Sequence, residues 1–237
     1  PTLTNNGTLN DSAPMYISGD LTGSGTFAAG TGGAVTFDGT GISSVNQPAT
    51  FYDLGMNKTG GGSLAIFRDL PVGRNFRAVA GTFALGKRTL TLGTDAASGA
   101  VSVDSGATFL AVGGADTASV VTALSAGFPY AFTVASGGTI GARHAAFQYM
   151  DSMGVSIAGS VDPANDFDSC AFDHGASAGP MLKIENSQTL DGLDHVAFSG
   201  TTGANIEKLG SSGHVTVTLG GGTRWGEAFD SDPNDLV

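Results

Sequence analysis

The second half of the chain says one phrase three times. Arg143 opens RHAAFQYMDSMGVSI, Asp168 opens DSCAFDHGASAGPMLKI and Asp194 opens DHVAFSGTTGANIEKL. Aligned on their Ala-Phe pairs, Phe147, Phe172 and Phe198 fall 25 and 26 residues apart, with Ala145, Cys170 and Val196 two positions ahead of them. A period of this size marks a solenoid, in which each repeat covers the apolar face of its neighbour. The alignment predicts that the three rings stack inside the coils and that Asp173 and His174, which follow Phe172, lie on the outward face or at a corner. It also makes Cys170 a buried small apolar residue rather than a nucleophile.

The period extends upstream as a recurring triplet: GTF at 25–27, VTF at 35–37, ATF at 49–51, GTF at 81–83 and ATF at 107–109. Between the triplets run short alternating segments such as SLAIF (63–67), RTLTLG (88–93) and GAVSV (99–103), each closed by Gly or Asp. Two-residue alternation between such punctuation is the strand-and-turn signal. Gly supplies 38 of 237 residues, against an ordinary share of about 7 %, which suits closely stacked strands with tight corners. Phe83 to Phe109 is 26 residues and Phe109 to Phe132 is 23, so the period is expected to run through most of the chain, with slippage in the loops. These observations predict an all-β fold, a right-handed parallel β-helix of roughly ten coils forming one domain over 1–237. At about 4.8 Å per coil the rod is on the order of 45–50 Å long. Residues 1–24 read as a lead-in or an incomplete first coil, and TASVVTAL (117–124) as the best candidate for a short helix. Pro1 resembles the start of a processed piece, a segment of a longer chain.

The formal net charge of −11 argues against nucleic acid or an anionic membrane as partner. No run of 18 apolar residues is present, so no transmembrane helix is expected. The charge is lopsided: residues 1–150 carry 8 acidic and 7 basic groups, residues 151–237 carry 13 and 3. Such polarity along a rod could favour head-to-tail packing.

Register can build a site, because stacking sets equivalent positions one above another. His144, Ser169 and His195 form one such column, directed outward, and Gln148, Asp173 and Ser199 another. A Ser between two His with Asp173 near has the ingredients of a nucleophilic triad, but a flat face supplies neither an oxyanion hole nor exclusion of water. Asp166, Asp168, Asp173 and His174 are the densest acidic cluster, and carboxylates on adjacent coils approach the spacing a retaining glycosidase uses. Asp is equally the ordinary turn residue between strands. Asp230, Asp232, Asn234 and Asp235 place oxygens at alternating positions, as calcium loops do, without the Gly and distal Glu of an EF-hand loop. Thr-x-Thr phrases (Thr89/Thr91, Thr216/Thr218) do not recur coil after coil as an ice-binding ladder requires, and TGGG (59–62) lacks the Lys-Ser/Thr ending of a phosphate loop.

The stretch ATFYDLGMNKTGGGSLAIFRDLPVGRNFRAVAGTFALGKRTLTLG (49–93) resembles the repeat of large secreted bacterial surface proteins, in which an N-K-x-G-G turn leads to strands ending G-T-F…L-x-L-G. The closing VTVTLGGGTRWGEAFDSDPND (215–235) is similar to the edge of such solenoids. The resemblance implies an adhesin-like β-helix on a cell surface or in an extracellular filament. Its partners would be neighbouring solenoid segments, or copies of itself end to end, with a carbohydrate or cell-surface ligand as a further candidate. Enzymes acting on acidic polysaccharides share the fold, but their N-T-D, D-D and G-H-G signatures are absent: FDHG (172–175) has the His-Gly alone. The expectation is therefore a non-enzymatic structural or adhesive solenoid without a cofactor, save a calcium ion at the C-terminal acidic segment. The alternative is a carbohydrate-active hydrolase or lyase using Asp166, Asp168, Asp173 and His174.

Overall fold

Strand after strand in this chain buries every second side chain: in Ala107–Val112, Ala107, Phe109 and Ala111 are buried while Thr108, Leu110 and Val112 are half-exposed. A strand of that pattern needs cover on one side and backbone partners on both edges. The computed structural model, which describes residues 2–30, 32–176, 179–200, 203–218, 220–222, 229–232 and 236–237, shows how both are met. Strands pair in parallel with the segment three strands later in the chain, which generates three ladders. The first face begins with Leu3–Thr4, Leu21–Thr22 and Ile42–Asn46 and runs on to Val215–Thr218. The second begins with Thr8–Asp11 and Thr26–Ala29 and ends at Gly221–Gly222. The third begins with Met15–Ile17 and Ala34–Gly39 and ends at Asp230–Ser231. The fold is an all-β parallel solenoid, and no α-helix occurs among the described residues.

Two segments differ from the sequence reading. Residues 117–124 contain a strand, Ser119–Ala123, rather than a helix. Val120, Val121 and Thr122 are β-branched, and Val121 enters the core between Leu90 and Phe147 of the adjoining rungs, a position only an extended backbone supplies. Residues 1–24 are no lead-in: they already place strands on all three faces, each in register with the next coil.

The core is a file of aromatic rings. Phe147, Phe172 and Phe198 lie in register on the second face, with successive centroids 5.3 Å apart and ring planes within 15°. The slippage expected in the loops falls between Phe109 and Phe132, which do not share a column. Phe109 pairs with Ile140 on the first face, whereas Phe132 pairs with Val101 and Val155 on the third. The two rings meet edge-on across the interior at 5.2 Å. The cause is loop length: the coil from Phe109 to Ile140 contains longer corners than its neighbours, so constant spacing stops reporting register.

Corners between the third and first faces admit polar side chains. The Lys58 ammonium is fully buried and donates to Ser43 Oγ at 2.5 Å and to the carbonyls of Ser18 and Asp38. Lys208, also fully buried, donates to the Asn186 carbonyl. Burial lowers the pKa of both amines, with Asp38 and Asp20 partly offsetting the shift at Lys58. The unfolded chain therefore holds more protons between the lowered folded values and the ordinary 10.5, so this contribution to stability rises with pH across that window and is lost as pH falls through the folded values. Denaturant melts should show the stability of the natural chain, relative to a Lys58→Met/Lys208→Met variant, increasing from neutral pH to pH ~10. A flat difference would contradict the assignment.

At one rung of the first face a side chain stands in for the backbone. Leu190–Asp194 belongs to a two-stranded sheet with Val215–Thr218. Gln188 bridges from there to the coil before: its Oε1 accepts from Val161 N–H at 2.8 Å and its Nε2 donates to Val161 O at 2.7 Å. Gln188→Leu, which keeps the bulk but strips both partners from Val161, should cost about 1–3 kcal/mol in a denaturant melt. A neutral result would mean water replaces the amide without loss.

Candidate functional site

Polar residues gather at the two corners flanking the second face between Ala145 and Ser199. The strands there, Ala145–Gln148, Ala171–Asp173 and Ala197–Ser199, are short, and their inward Phe rings fix the register. Outward they present two columns: Ala146, Ala171 and Ala197, then Gln148, Asp173 and Ser199. The chain must turn sharply at both ends of each strand. His144, Ser169 and His195 precede the strands with φ of 47°, 56° and 56°, while Tyr149 and His174 follow them with φ of 60° and 53°. Left-handed backbone at non-glycine residues is uncommon and costs of order 1–2 kcal/mol each. Here it is held by the adjoining coil: His144 N–H donates to Asp168 O, Ser169 N–H to Asp194 O, Tyr149 N–H to Asp173 O and His174 N–H to Ser199 O.

The corner after the strands is built on Asp173. Its Oδ1 accepts from Ser199 Oγ at 2.7 Å and from His174 N–H at 2.9 Å, and its Oδ2 meets His174 Nδ1 at 2.7 Å. The His174 ring stacks on Tyr149 with centroids 4.8 Å apart. Gly200 continues the column, and a Cβ there would lie 2.6 Å from Asp173 Oδ1. Tyr149 was not among the residues singled out from the sequence. The signal was available, since it stands two positions after Phe147 as His174 stands two after Phe172.

The corner before the strands holds Asp166, Asp168, Asp194 and Arg143. Arg143 Nε donates to Asp168 Oδ2 at 3.0 Å, the ladder ion pair that stacking implies. Burial raises the Asp166 pKa, and repulsion from Asp168 and Asp194 adds to the shift while Arg143 opposes it. Burial likewise lifts the Cys170 thiol to about 12, so at neutral pH Cys170 is an inert apolar residue.

Asp166, Asp168, Asp173 and His174 therefore do not converge. The first two lie at one end of Ala171–Asp173 and the last two at the other, separated by a strand of about 10 Å. Nor do the triad ingredients meet. Ser169 Oγ donates to Asp168 Oδ1 at 2.9 Å and Ser199 Oγ to Asp173, so each hydroxyl faces a carboxylate rather than an imidazole. Neither serine is therefore paired with a histidine as in a Ser-His-Asp triad. Of the calcium candidates, Asn234 and Asp235 lie outside the described residues. Asp232 Oδ2 accepts the N–H groups of Leu236 and Val237. Among the described residues no group of three or more His, Cys, Asp or Glu side chains is arranged to hold a metal ion.

The first face carries a hydroxyl column that sequence phrases do not reveal. Ser63, Thr82, Thr108, Thr139 and Ser160 occupy successive rungs, and Thr139 Oγ1 lies 3.0 Å from Ser160 Oγ. The Thr-x-Thr phrases point elsewhere: Thr89 and Thr91 sit on the second face beside Val120 and Thr122. No family model, no curated protein and no solved structure matches this chain, so its identity rests on the parallel solenoid and the chemistry of these corners alone.

Proposed function

We propose that the chain is a structural or adhesive β-solenoid of a bacterial surface or extracellular filament protein, a rod that stacks on further solenoid segments and presents its faces for contact. Three parallel faces running from the first coil to the last carry this reading: among the described residues each has ten segments, with Gln188 bridging the one break in the first face, in keeping with about ten coils, and the right hand follows from the general preference of parallel crossovers. The polar residues of the second face support it, because they bond to one another rather than converge on a vacant pocket. At the first coil Leu3, Leu9 and Met15 are only partly covered, and the backbone edges there suit another coil. Contact with carbohydrate would use the exposed faces, and no cofactor is invoked.

Concentrated protein should assemble end to end into species longer than a dimer by sedimentation and electron microscopy. Leu9→Lys/Met15→Lys, which sets charge on the partly covered end, should suppress that growth. The competing hydrolase reading gives a different outcome, release of reducing ends or unsaturated products from an acidic polysaccharide, abolished by Asp166→Asn or Asp173→Asn. Such turnover would displace the structural reading.

A further inference from the structure

Four of the seven cations of residues 1–150 are matched by carboxylates, whereas residues 151–237, with 13 acidic and 3 basic groups, stay strongly acidic. Arg74 pairs with Asp53, Arg77 with Asp104, Lys87 with Asp116 and Arg143 with Asp168. Arg68 and Arg88 are different: both are exposed, and neither side chain has an ion pair or hydrogen-bond partner among the described residues. They precede the paired residues Leu70 and Leu90 by two positions each, so they stack on adjoining rungs at the corner between the first and second faces. Like charges on neighbouring strands repel.

Further along the same corner lie Asp168 and Asp194, also on adjoining rungs, three positions before the paired Ala171 and Ala197. Asp194 has no side-chain partner among the described residues. Asp166 beside them feels both as repulsive neighbours, and Arg143, paired with Asp168, opposes that repulsion. One edge of the rod thus bears a basic step, Arg68 and Arg88 with the single carboxylate of Asp69 held beside them by Thr89 N–H, and an acidic step that is neutralised only in part. Second-face register runs Leu70, Leu90, Val121, Phe147, Phe172, Phe198, which puts four rungs, about 19 Å, between Arg68 and Asp168 and the same between Arg88 and Asp194. That distance exceeds the screening length of about 8 Å at physiological salt, so the two steps do little to neutralise each other.

The geometry points to an interaction surface along this corner for a second copy of the chain, lying side by side and antiparallel. A two-fold axis midway between the rungs of Val121 and Phe147 sets Arg68 opposite Asp194 of the second copy and Arg88 opposite its Asp168, and each contact occurs twice. Isologous contacts of this kind close at the dimer. The same rotation sets the Asp116 loop, 113–118, opposite Arg143 of the second copy. A second copy is favoured over a free anionic ligand because one edge supplies both signs at matched spacing. This association is separate from end-to-end stacking, which uses the coil ends and is open-ended.

Arg68→Glu and Asp194→Lys test it, since neither side chain has an internal partner whose loss would disturb the fold. By sedimentation, the natural chain should form a salt-sensitive dimer at about 20 mM salt that dissociates by about 500 mM. Each single variant should dimerise at least about tenfold more weakly, because it places like charges opposite each other twice. An equimolar mixture of the two variants should recover dimer, now obligately mixed. In the mixed pair the two introduced charges, opposite in sign, face each other across the axis, and the natural Arg68 and Asp194 contact survives once. A monomer at low salt, a dimer indifferent to either substitution, or variants that fail to recover on mixing would each overturn the proposal. Suppression of dimer only by Leu9→Lys/Met15→Lys would overturn it too, by assigning association to the coil end.

Discussion

Phe172→Ala is expected to lower stability by about 3–5 kcal/mol in a denaturant melt. The ring is fully buried, with Phe147 and Phe198 each 5.3 Å away on the adjoining rungs and Phe167 at 5.8 Å. Coils above and below are held by their own backbone ladders and cannot collapse into the space, so the loss of transfer energy is joined by a cavity. The residues that follow should respond far less. Asp173→Ala removes the acceptor for Ser199 Oγ and His174, at a part-buried position, for about 1 kcal/mol. His174→Ala should stay within about 0.5 kcal/mol, as its side chain is half-exposed. His174→Gly should be more stable than His174→Ala by up to about 1 kcal/mol, because φ is +53° there. If Phe172→Ala were mild while Asp173→Ala or His174→Ala stabilised the chain, strain held for activity would be the better account, and the hydrolase reading would lead.

Gly81→Ala is expected to cost at least about 2 kcal/mol. Gly81 lies inside the long strand Leu70–Ala84, where the chain passes from the third face to the first without a loop. Its φ is +86°, and a Cβ would stand 2.3 Å from Lys58 O and 2.6 Å from Gly62 O of the coil before. Both obstacles are backbone, and the Lys58 carbonyl belongs to the corner whose buried ammonium caps two other carbonyls. Gly106→Ala is the control: φ is +83°, yet no atom lies within 4 Å of the added carbon. It should carry the backbone strain alone, about 1–2 kcal/mol. Equal losses at the two sites would show that the close approach of coils adds nothing.

What the sequence made legible follows from which positions the core constrains. The Phe147, Phe172 and Phe198 stack was visible because the two coil lengths between them, 25 and 26 residues, differ by a single residue. The triplets upstream misled for another reason. Phe27 and Phe51 fall on the second face, Phe37 on the third face of the same coil as Phe27, and Phe83 and Phe109 on the first, because the triplet recurs on all three faces. Alternation reports which side chains point inward but not which face a strand joins. The hydroxyl column from Ser63 to Ser160 was hidden in the same way, one residue per strand and unevenly spaced. At the candidate corners, residue types were read correctly but their grouping was not. Whether Asp168 and Asp173 meet depends on a strand between two left-handed corners, and left-handed backbone at His, Ser and Tyr leaves no mark in composition.

The solenoid stands or falls on parallel register, and disulfide trapping reads register directly. Thr108 and Thr139 are partners on adjoining rungs of the first face, both half-exposed, and Cys170 is buried out of reach. Parallel partners stand at Cα separations a disulfide can span. Thr108→Cys/Thr139→Cys should oxidise efficiently within the monomer. Thr108→Cys/Ala131→Cys, the pair that would be adjacent if Phe109 and Phe132 shared a column, should remain reduced. Cross-linking of the second pair in preference to the first would contradict the register, and with it the three-ladder solenoid.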